Sequence, residues 1–208
     1  MSNVKSIFSA LIILAAMATG SAVLLHKHDE ITTHPWLKKA PAEDNEVFER
    51  ILEYRKKQDF DGAAAAADKG VNGKPPDDFL LQTISDTYFE RAQQEDATKR
   101  EQWVSLAVQY SERALEKNPG DVVNVFNVGE TYLTAAMNLH KPNGCSYYQK
   151  SLEVFERLKA DPILKGEWGM IEGERVPIQP YRQRLDEKIK EVQQLAAGCP
   201  ALPKNGRP

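Results

Sequence analysis

Apolar residues at helical spacing recur along most of this 208-residue sequence. Between Asn45 and Ala197 they fall three or four positions apart, as in Val47, Ile51 and Tyr54. That spacing is typical of amphipathic α-helices. Apolar and polar residues do not alternate over any stretch long enough to predict a strand. The pattern therefore predicts an all-α domain.

The sequence also resembles itself at a fixed shift. Laying residues 78–121 over residues 122–165, a shift of 44, brings chemically similar residues together. The matches are Thr87-Tyr88 with Thr131-Tyr132, Asp86 with Glu130, and Glu112-Arg113 with Glu156-Arg157. Internal repeats of this length are typical of proteins in which helical units stack and bury their apolar faces against neighbours.

One stretch of the repeat resembles a known family. Residues 107–119 read AVQYSERALEKNP, which resembles the second helix and turn of a tetratricopeptide repeat (TPR), where Ala-Leu is followed four residues later by Pro. Gly129 and Tyr132 resemble the small residue and the tyrosine of the first helix in that repeat, and Tyr54 and Tyr88 fall at equivalent places. The resemblance implies a solenoid of helical hairpins.

The resemblance also implies a domain organisation. We expect three hairpin units at 44–77, 78–121 and 122–165, then a loop at 166–180, a capping helix at 181–198 and a tail at 199–208. The second and third units are about ten residues longer than the usual TPR length of 34. We expect the extra residues to lengthen the segments between the two helices, around 93–102 and 137–146.

A run of nineteen uncharged residues, 7–25, comes before the repeats. As a helix it would be about 28 Å long, close to the hydrocarbon thickness of a bilayer. The positive charge of Lys5 favours residues 1–6 in the cytoplasm and the domain outside it. We therefore expect a signal anchor, followed by a linker at 26–43. The alternative is a cleaved signal peptide, because Ala16-Met17-Ala18 and Gly20-Ser21-Ala22 are both small-x-small sites.

The chain has two cysteines, Cys145 and Cys199. Cys145 lies where the helix at 146–160 begins, and Cys199 follows the helix at 181–197. If successive helices run antiparallel, both sulfurs lie at the same edge of the stack. An oxidising compartment then favours a disulfide between them; the alternative is two unrelated free thiols.

The glycine- and proline-rich segment 163–180 contains Trp168. A loop of this length is often functional in a compact domain. One interpretation has Trp168 folded back on the last helices as a plug, and the other has it contacting a partner.

Function is implied by the resemblance, because the first helices of TPR hairpins line a groove that binds an extended peptide or a partner helix. Transferred by position, the groove residues are Phe48, Glu49, Leu52, Phe79, Gln82, Thr83, Asp86, Phe89, Phe126, Asn127, Glu130 and Leu133. Their aromatic and acidic character predicts a ligand with apolar anchors and some basic character.

Other function classes lack support in the sequence. A net charge of −3 does not favour nucleic-acid binding. The sequence has no nucleophile-elbow, zinc-protease or phosphate-loop motif, so we expect no enzyme, no small-molecule substrate, no metal and no cofactor. We expect a single-pass membrane scaffold that faces the periplasm or another extracytoplasmic compartment and helps to assemble an envelope complex. The alternative is a secreted helical subunit of a larger complex.

Overall fold

In a computed structural model of the chain, residues 45–69 and 76–200 are described, and they are mostly helical. Their seven helices are α1 (Asn45–Lys56), α2 (Phe60–Asp68), α3 (Asp78–Gln94), α4 (Ala97–Lys117), α5 (Val122–Leu139), α6 (Cys145–Lys159) and α7 (Gln179–Ala196). A 3-10 turn (Pro162–Lys165) and two short strands, β1 (Trp168–Ile171) and β2 (Glu174–Pro177), precede α7. The predicted all-α class is confirmed at this level.

Each helix packs against the helix that follows it in the chain, and α3 also contacts α5. The pairs α1–α2, α3–α4 and α5–α6 fall within the three predicted units, and α7 covers α6. None of the helices in the described ranges has the length and apolar character that crossing a membrane requires. The predicted membrane segment at 7–25 and the linker at 26–43 lie outside the described residues.

Aspartates begin four of these helices. The side chains of Asp59, Asp77, Asp96 and Asp121 each accept a hydrogen bond from a backbone N–H in the first turn of α2, α3, α4 and α5. Such N-caps satisfy backbone donors that have no partner within the helix. The connections that precede α2, α4 and α5 are two to four residues long, and each ends in its capping aspartate.

The expected long connections within the second and third units are largely wrong. In the second unit, α3 continues to Gln94 and α4 begins at Ala97 after Asp96 caps it, so the extra residues extend the two helices. In the third unit, α5 ends at Leu139 and α6 begins at Cys145, which leaves five residues between them. The added length therefore enlarges the packed helical surface.

The segment 168–177 forms a β-hairpin, which the sequence pattern did not predict. β1 and β2 pair antiparallel, with Trp168 opposite Pro177 and Met170 opposite Arg175. The turn residues Glu172 and Gly173 both have positive φ, the feature of two-residue hairpin turns. Four-residue strands are too short to show a clear period of two, which explains the error.

The core is continuous along the stack. One cluster joins α1, α2 and α3 around Ile51, Leu80 and Ile84, and a second joins α3, α4 and α5 around Val104 and Val128. Small residues allow close helix approach: a Cβ at Gly129 in α5 would lie 2.3 Å from the ring of Phe155 in α6. Such close contact leaves little tolerance for added volume.

The hairpin does not use Trp168 as a plug. Leu164, Ile171 and Ile178 are buried, each at most 4% exposed, whereas Trp168 is 55% exposed. The plug interpretation of Trp168 is therefore wrong, because the inward face of the hairpin belongs to its aliphatic residues.

The predicted disulfide between Cys145 and Cys199 is confirmed. The two Cα atoms lie 5.5 Å apart, and the bond joins the first residue of α6 to the segment just after α7. It therefore ties the end of the capping helix to the third hairpin across 54 residues of sequence.

Removal of this bond will lower the free energy of unfolding. For a loop of this length the chain-entropy model gives about 4 kcal/mol. We expect a double variant, Cys145→Ser with Cys199→Ser, to unfold at a lower guanidinium concentration, monitored by circular dichroism. Dithiothreitol should lower the midpoint of the unmodified protein and leave the double variant unchanged. Equal midpoints for both proteins under oxidising conditions would contradict the stabilising role.

Candidate functional site

Side chains link the first helices of successive hairpins directly. We call α1, α3, α5 and the capping helix α7 the odd-helix layer. Its neighbours are joined by the ion pair of Arg55 with Glu90, by Asn124 Nδ2 donating to Asp78 Oδ2 at 2.7 Å, and by Lys188 Nζ with Glu130 Oε2 at 3.1 Å. The layer is therefore a connected surface, and the predicted groove residues all belong to it.

A closed ring of hydrogen bonds holds the middle of this layer. Ser111 Oγ donates to Gln82 Oε1 at 2.8 Å, and Thr131 Oγ1 donates to Ser111 Oγ at 2.9 Å. Gln82 Nε2 donates to Thr131 Oγ1 at 3.3 Å, which closes the ring. Ser111 and Thr131 are buried, and the three residues lie on α4, α5 and α3. The ring therefore fixes the relative positions of three helices.

Four of the twelve predicted groove residues lie in the core instead of on a surface. They are Thr83, Phe89, Phe126 and Leu133, each at most 5% exposed. Phe126 packs against Phe155 with ring centroids 5.3 Å apart. Thr83 and Phe89 lie on α3, and Phe126 and Leu133 lie on α5. These side chains are enclosed because each of the two helices is packed by three others, so they cannot contact a partner in the folded domain.

The other eight retain solvent contact. They are Phe48, Glu49, Leu52, Phe79, Gln82, Asp86, Asn127 and Glu130. Phe48 and Phe79 meet between α1 and α3, with ring centroids 5.4 Å apart. Phe79 and Asp86 are seven residues apart on α3 and so share a face. We call Phe48, Phe79, Gln82 and Asp86 the α1–α3 seam, which combines aromatic rings with a carboxylate.

Asp86 has an unusual electrostatic position in the seam. Its side chain is exposed, yet the surrounding helices desolvate the carboxylate and raise its pKa to about 6. Arg55 and the hydrogen bond from Gln82 Nε2, 3.4 Å long, act in the opposite direction, and the charge of Glu90 adds to the increase. The raised pKa means that a nearby cation would stabilise the ionised form.

Glu130, unlike Asp86, has a cation paired with its carboxylate. It matches Asp86 in the sequence repeat, and burial likewise raises its pKa. Lys188 from α7, itself only 9% exposed, forms an ion pair with Glu130 and opposes that increase. Within the described ranges, no Lys or Arg side chain forms an ion pair with Asp86 within 4.0 Å. The two equivalent acids thus differ in whether a cation of the described residues forms a direct ion pair with them.

Three residues of the site were not predicted: Arg55 and Lys188 in this layer, and Ser111 on α4. Lys188 follows Leu185 by three positions and adjoins Ile189, so it is a charged residue inside the apolar stripe of α7. That feature is a detectable signal for a buried ion pair. Ser111 gives no comparable signal, because a serine on a second helix is compatible with either core or surface.

No three His, Cys, Asp or Glu side chains in the ranges 45–69 and 76–200 come together as a possible metal site. No protein-family model matches this sequence, and a search of curated proteins finds no match either. The functional argument therefore rests on the geometry of the odd-helix layer.

Loss of the hydrogen-bond ring will destabilise the fold. Thr131→Val removes one donor and one acceptor from a buried ring, and we expect a loss of about 1–3 kcal/mol in the free energy of unfolding. Urea unfolding monitored by circular dichroism measures the change. The control is Thr134→Val on the same helix, which lies outside the ring and should cost less. Equal losses for both variants would contradict a specific role of the ring.

Asp86 will make stability depend on pH in a defined direction. Its pKa of about 6 in the folded protein exceeds its ordinary value of 3.8, so the folded state binds the proton more tightly. The resulting stabilisation is present below about pH 4 and is lost as the pH rises through 6. Because the side chain is exposed, solvent screening keeps the effect below about 1 kcal/mol.

We expect Asp86→Asn to remove this component of the pH dependence between pH 4 and 7. Carbon-13 NMR of the Asp86 carboxyl group should show a titration midpoint near pH 6 in the unmodified protein. A midpoint at the ordinary value would contradict the desolvation of this group.

Proposed function

We propose that this protein is a membrane-anchored, TPR-like scaffold whose odd-helix layer binds a partner protein outside the cytoplasm. The observation that carries the proposal is the α1–α3 seam, where the paired Phe48 and Phe79 rings share a face with the exposed carboxylate of Asp86, seven residues after Phe79 on α3. Aromatic side chains provide contact area, and the carboxylate provides selectivity for charge.

Equivalent contacts in two hairpins support the TPR-like interpretation. Tyr88 stacks on Trp103 with ring centroids 5.6 Å apart, and Tyr132 packs against Tyr147 at 6.1 Å. The two pairs are equivalent in the sequence repeat, since each residue of the second pair lies 44 positions after its counterpart in the first. Both contacts join the first helix of a hairpin to its second helix. A shared internal packing rule is expected if the hairpins are copies of one unit.

The proposed compartment follows from two features. The Cys145–Cys199 disulfide favours an oxidising environment such as the periplasm. The apolar run at 7–25 is long enough for a signal anchor, with the positive charge of Lys5 before it.

The partner chemistry follows from the pair of equivalent acids. Lys188 of the capping helix forms an ion pair with Glu130, whereas Asp86 has no such ion pair within the described ranges. A partner segment with a Lys or Arg beside an apolar side chain would complement Asp86 and the Phe48–Phe79 rings. This role requires binding alone, and we propose no enzymatic activity.

A secreted soluble subunit is the second candidate, because Ala16-Met17-Ala18 and Gly20-Ser21-Ala22 are possible cleavage sites. N-terminal sequencing of the mature protein separates the two. A new N-terminus at Thr19 or Val23 favours secretion, whereas retention of residues 7–25 favours the anchor.

Charge reversal in the seam will test the partner surface. We expect Asp86→Lys to weaken recovery of the specific partner about tenfold or more, because a like charge would face the partner's cation. The measurement is crosslinking in native membranes, followed by quantitative mass spectrometry of the proteins that co-purify.

The matched control is Glu116→Lys, which makes the same charge change at an exposed position on α4, a second helix. Both variants should keep the helical circular dichroism spectrum of the unmodified protein. Equal recovery of every co-purifying protein with Asp86→Lys and with Glu116→Lys would overturn the proposed surface.

A further inference from the structure

The β1–β2 hairpin presents an apolar face to solvent. Trp168 and Met170 are 55% and 58% exposed, the highest values among the large apolar side chains of the described residues. They alternate with Gly169 and the buried Ile171, so both lie on the outward side of β1. Their partners across the hairpin are Pro177 and Arg175.

The inward side of the hairpin holds this face in place. Ile171 is 4% exposed, and a Cβ added at Gly169 would lie 2.6 Å from Ile178 Cδ1. The backbone N–H of Ile178 donates to the carbonyl of Glu167 at 2.9 Å. The hairpin is therefore packed against the residues that flank it and against the 3-10 turn, and its outward side chains point away from that packing.

The outward face also carries a cation. The guanidinium carbon of Arg175 lies 5.3 Å from the centre of the Trp168 ring. The outward positions are Trp168, Met170, Arg175 and Pro177, and Arg175 is the charged residue among them. Glu174 is opposite the inward residue Ile171 and so lies on the other side of β2. The face thus combines an indole, a thioether and a guanidinium, side chains that suit the boundary between lipid headgroups and acyl chains.

The size of the patch favours a bilayer over a protein partner. Stable protein interfaces bury about 800 Å² on each partner, and two exposed apolar side chains on a pair of four-residue strands supply far less. A bilayer surface needs no matching shape, so a small patch suffices when an anchor already keeps the domain close.

The length of chain before the domain is compatible with this contact. Residues 26–44 separate the apolar run from α1, and nineteen residues span up to about 65 Å when fully extended. A compact domain of about 150 residues has a radius of gyration of roughly 15 Å. That length would let the domain bring this face to the membrane.

We propose that the hairpin docks on the surface of the bilayer that holds the N-terminal apolar run, with Trp168 and Met170 inserted at the level of the headgroups. This inference rests on the anchored form of the proposed function. Residues 165–177 contain two cations, Lys165 and Arg175, and three acids, Glu167, Glu172 and Glu174, so the segment carries a net charge of −1. The preferred surface is therefore a zwitterionic one.

Site-specific labelling tests the contact in the full-length chain. The chain's two cysteines form the disulfide, so Met170→Cys introduces a single free thiol for an environment-sensitive nitrobenzoxadiazole dye. The labelled protein is reconstituted into phosphatidylcholine vesicles, and alkaline flotation reports whether the chain stays in the bilayer. The control is Glu116→Cys, at an exposed position on α4, which contacts α3 and α5.

We expect a several-fold rise in emission at position 170 over position 116, quenching by spin-labelled lipid, and loss of the rise when Trp168→Ala is added. Vesicles containing phosphatidylglycerol should show a smaller rise. Flotation with equal emission at both positions would overturn the hairpin contact and leave the anchor intact.

Loss of flotation would overturn the anchor and the hairpin contact together. The other possible occupant of this face is a second copy of the chain, which sedimentation in neutral detergent would detect as a dimer. A dimer that dissociates with Trp168→Ala would assign the face to that second copy and overturn the membrane contact. Circular dichroism on each variant confirms that the helices remain.

Discussion

The buried hydrogen-bond ring of Gln82, Ser111 and Thr131 is the interaction on which the helix stack depends most. Apolar stripes alone leave stacked helices free to shift, because burial is non-directional. Hydroxyl and amide groups in the interior are tolerated only when each has a partner, so a closed ring permits one relative position of α3, α4 and α5. It therefore specifies the arrangement as well as stabilising it.

The same ring determines the character of the candidate surface. The amide nitrogen of Gln82 donates one hydrogen bond to Thr131 and another to Asp86. The carboxylate of Asp86 lies on the exposed side of the layer. One hairpin later, Glu130 occupies the equivalent position but is joined to Lys188 of the capping helix. The end of the stack is thus closed by an internal ion pair, whereas Asp86 in the α1–α3 seam has no direct ion pair among the described residues.

Local features of the chain were predictable from the sequence because each depends on neighbouring residues. The helical period acts over three or four positions, and it predicted the helices. The cap of Asp96 and the turn at Gly173 are equally local signals, but they were missed. The Cys145–Cys199 disulfide was also predictable, since two cysteines at the ends of antiparallel helices have one choice of partner. The longer helices were missed because the family resemblance placed insertions in loops, whereas these residues are good helix formers.

The sequence by itself determined that the chain forms helices, where most of them begin and which cysteines pair. The tertiary structure alone decided which face of each helix is enclosed. Phe79 and Phe126 both lie near the start of a first helix, yet α5 buries Phe126 against α6, whereas Phe79 stays partly exposed beside Phe48. Burial depends on neighbours distant in the chain, and helical periodicity identifies an apolar face without identifying what covers it.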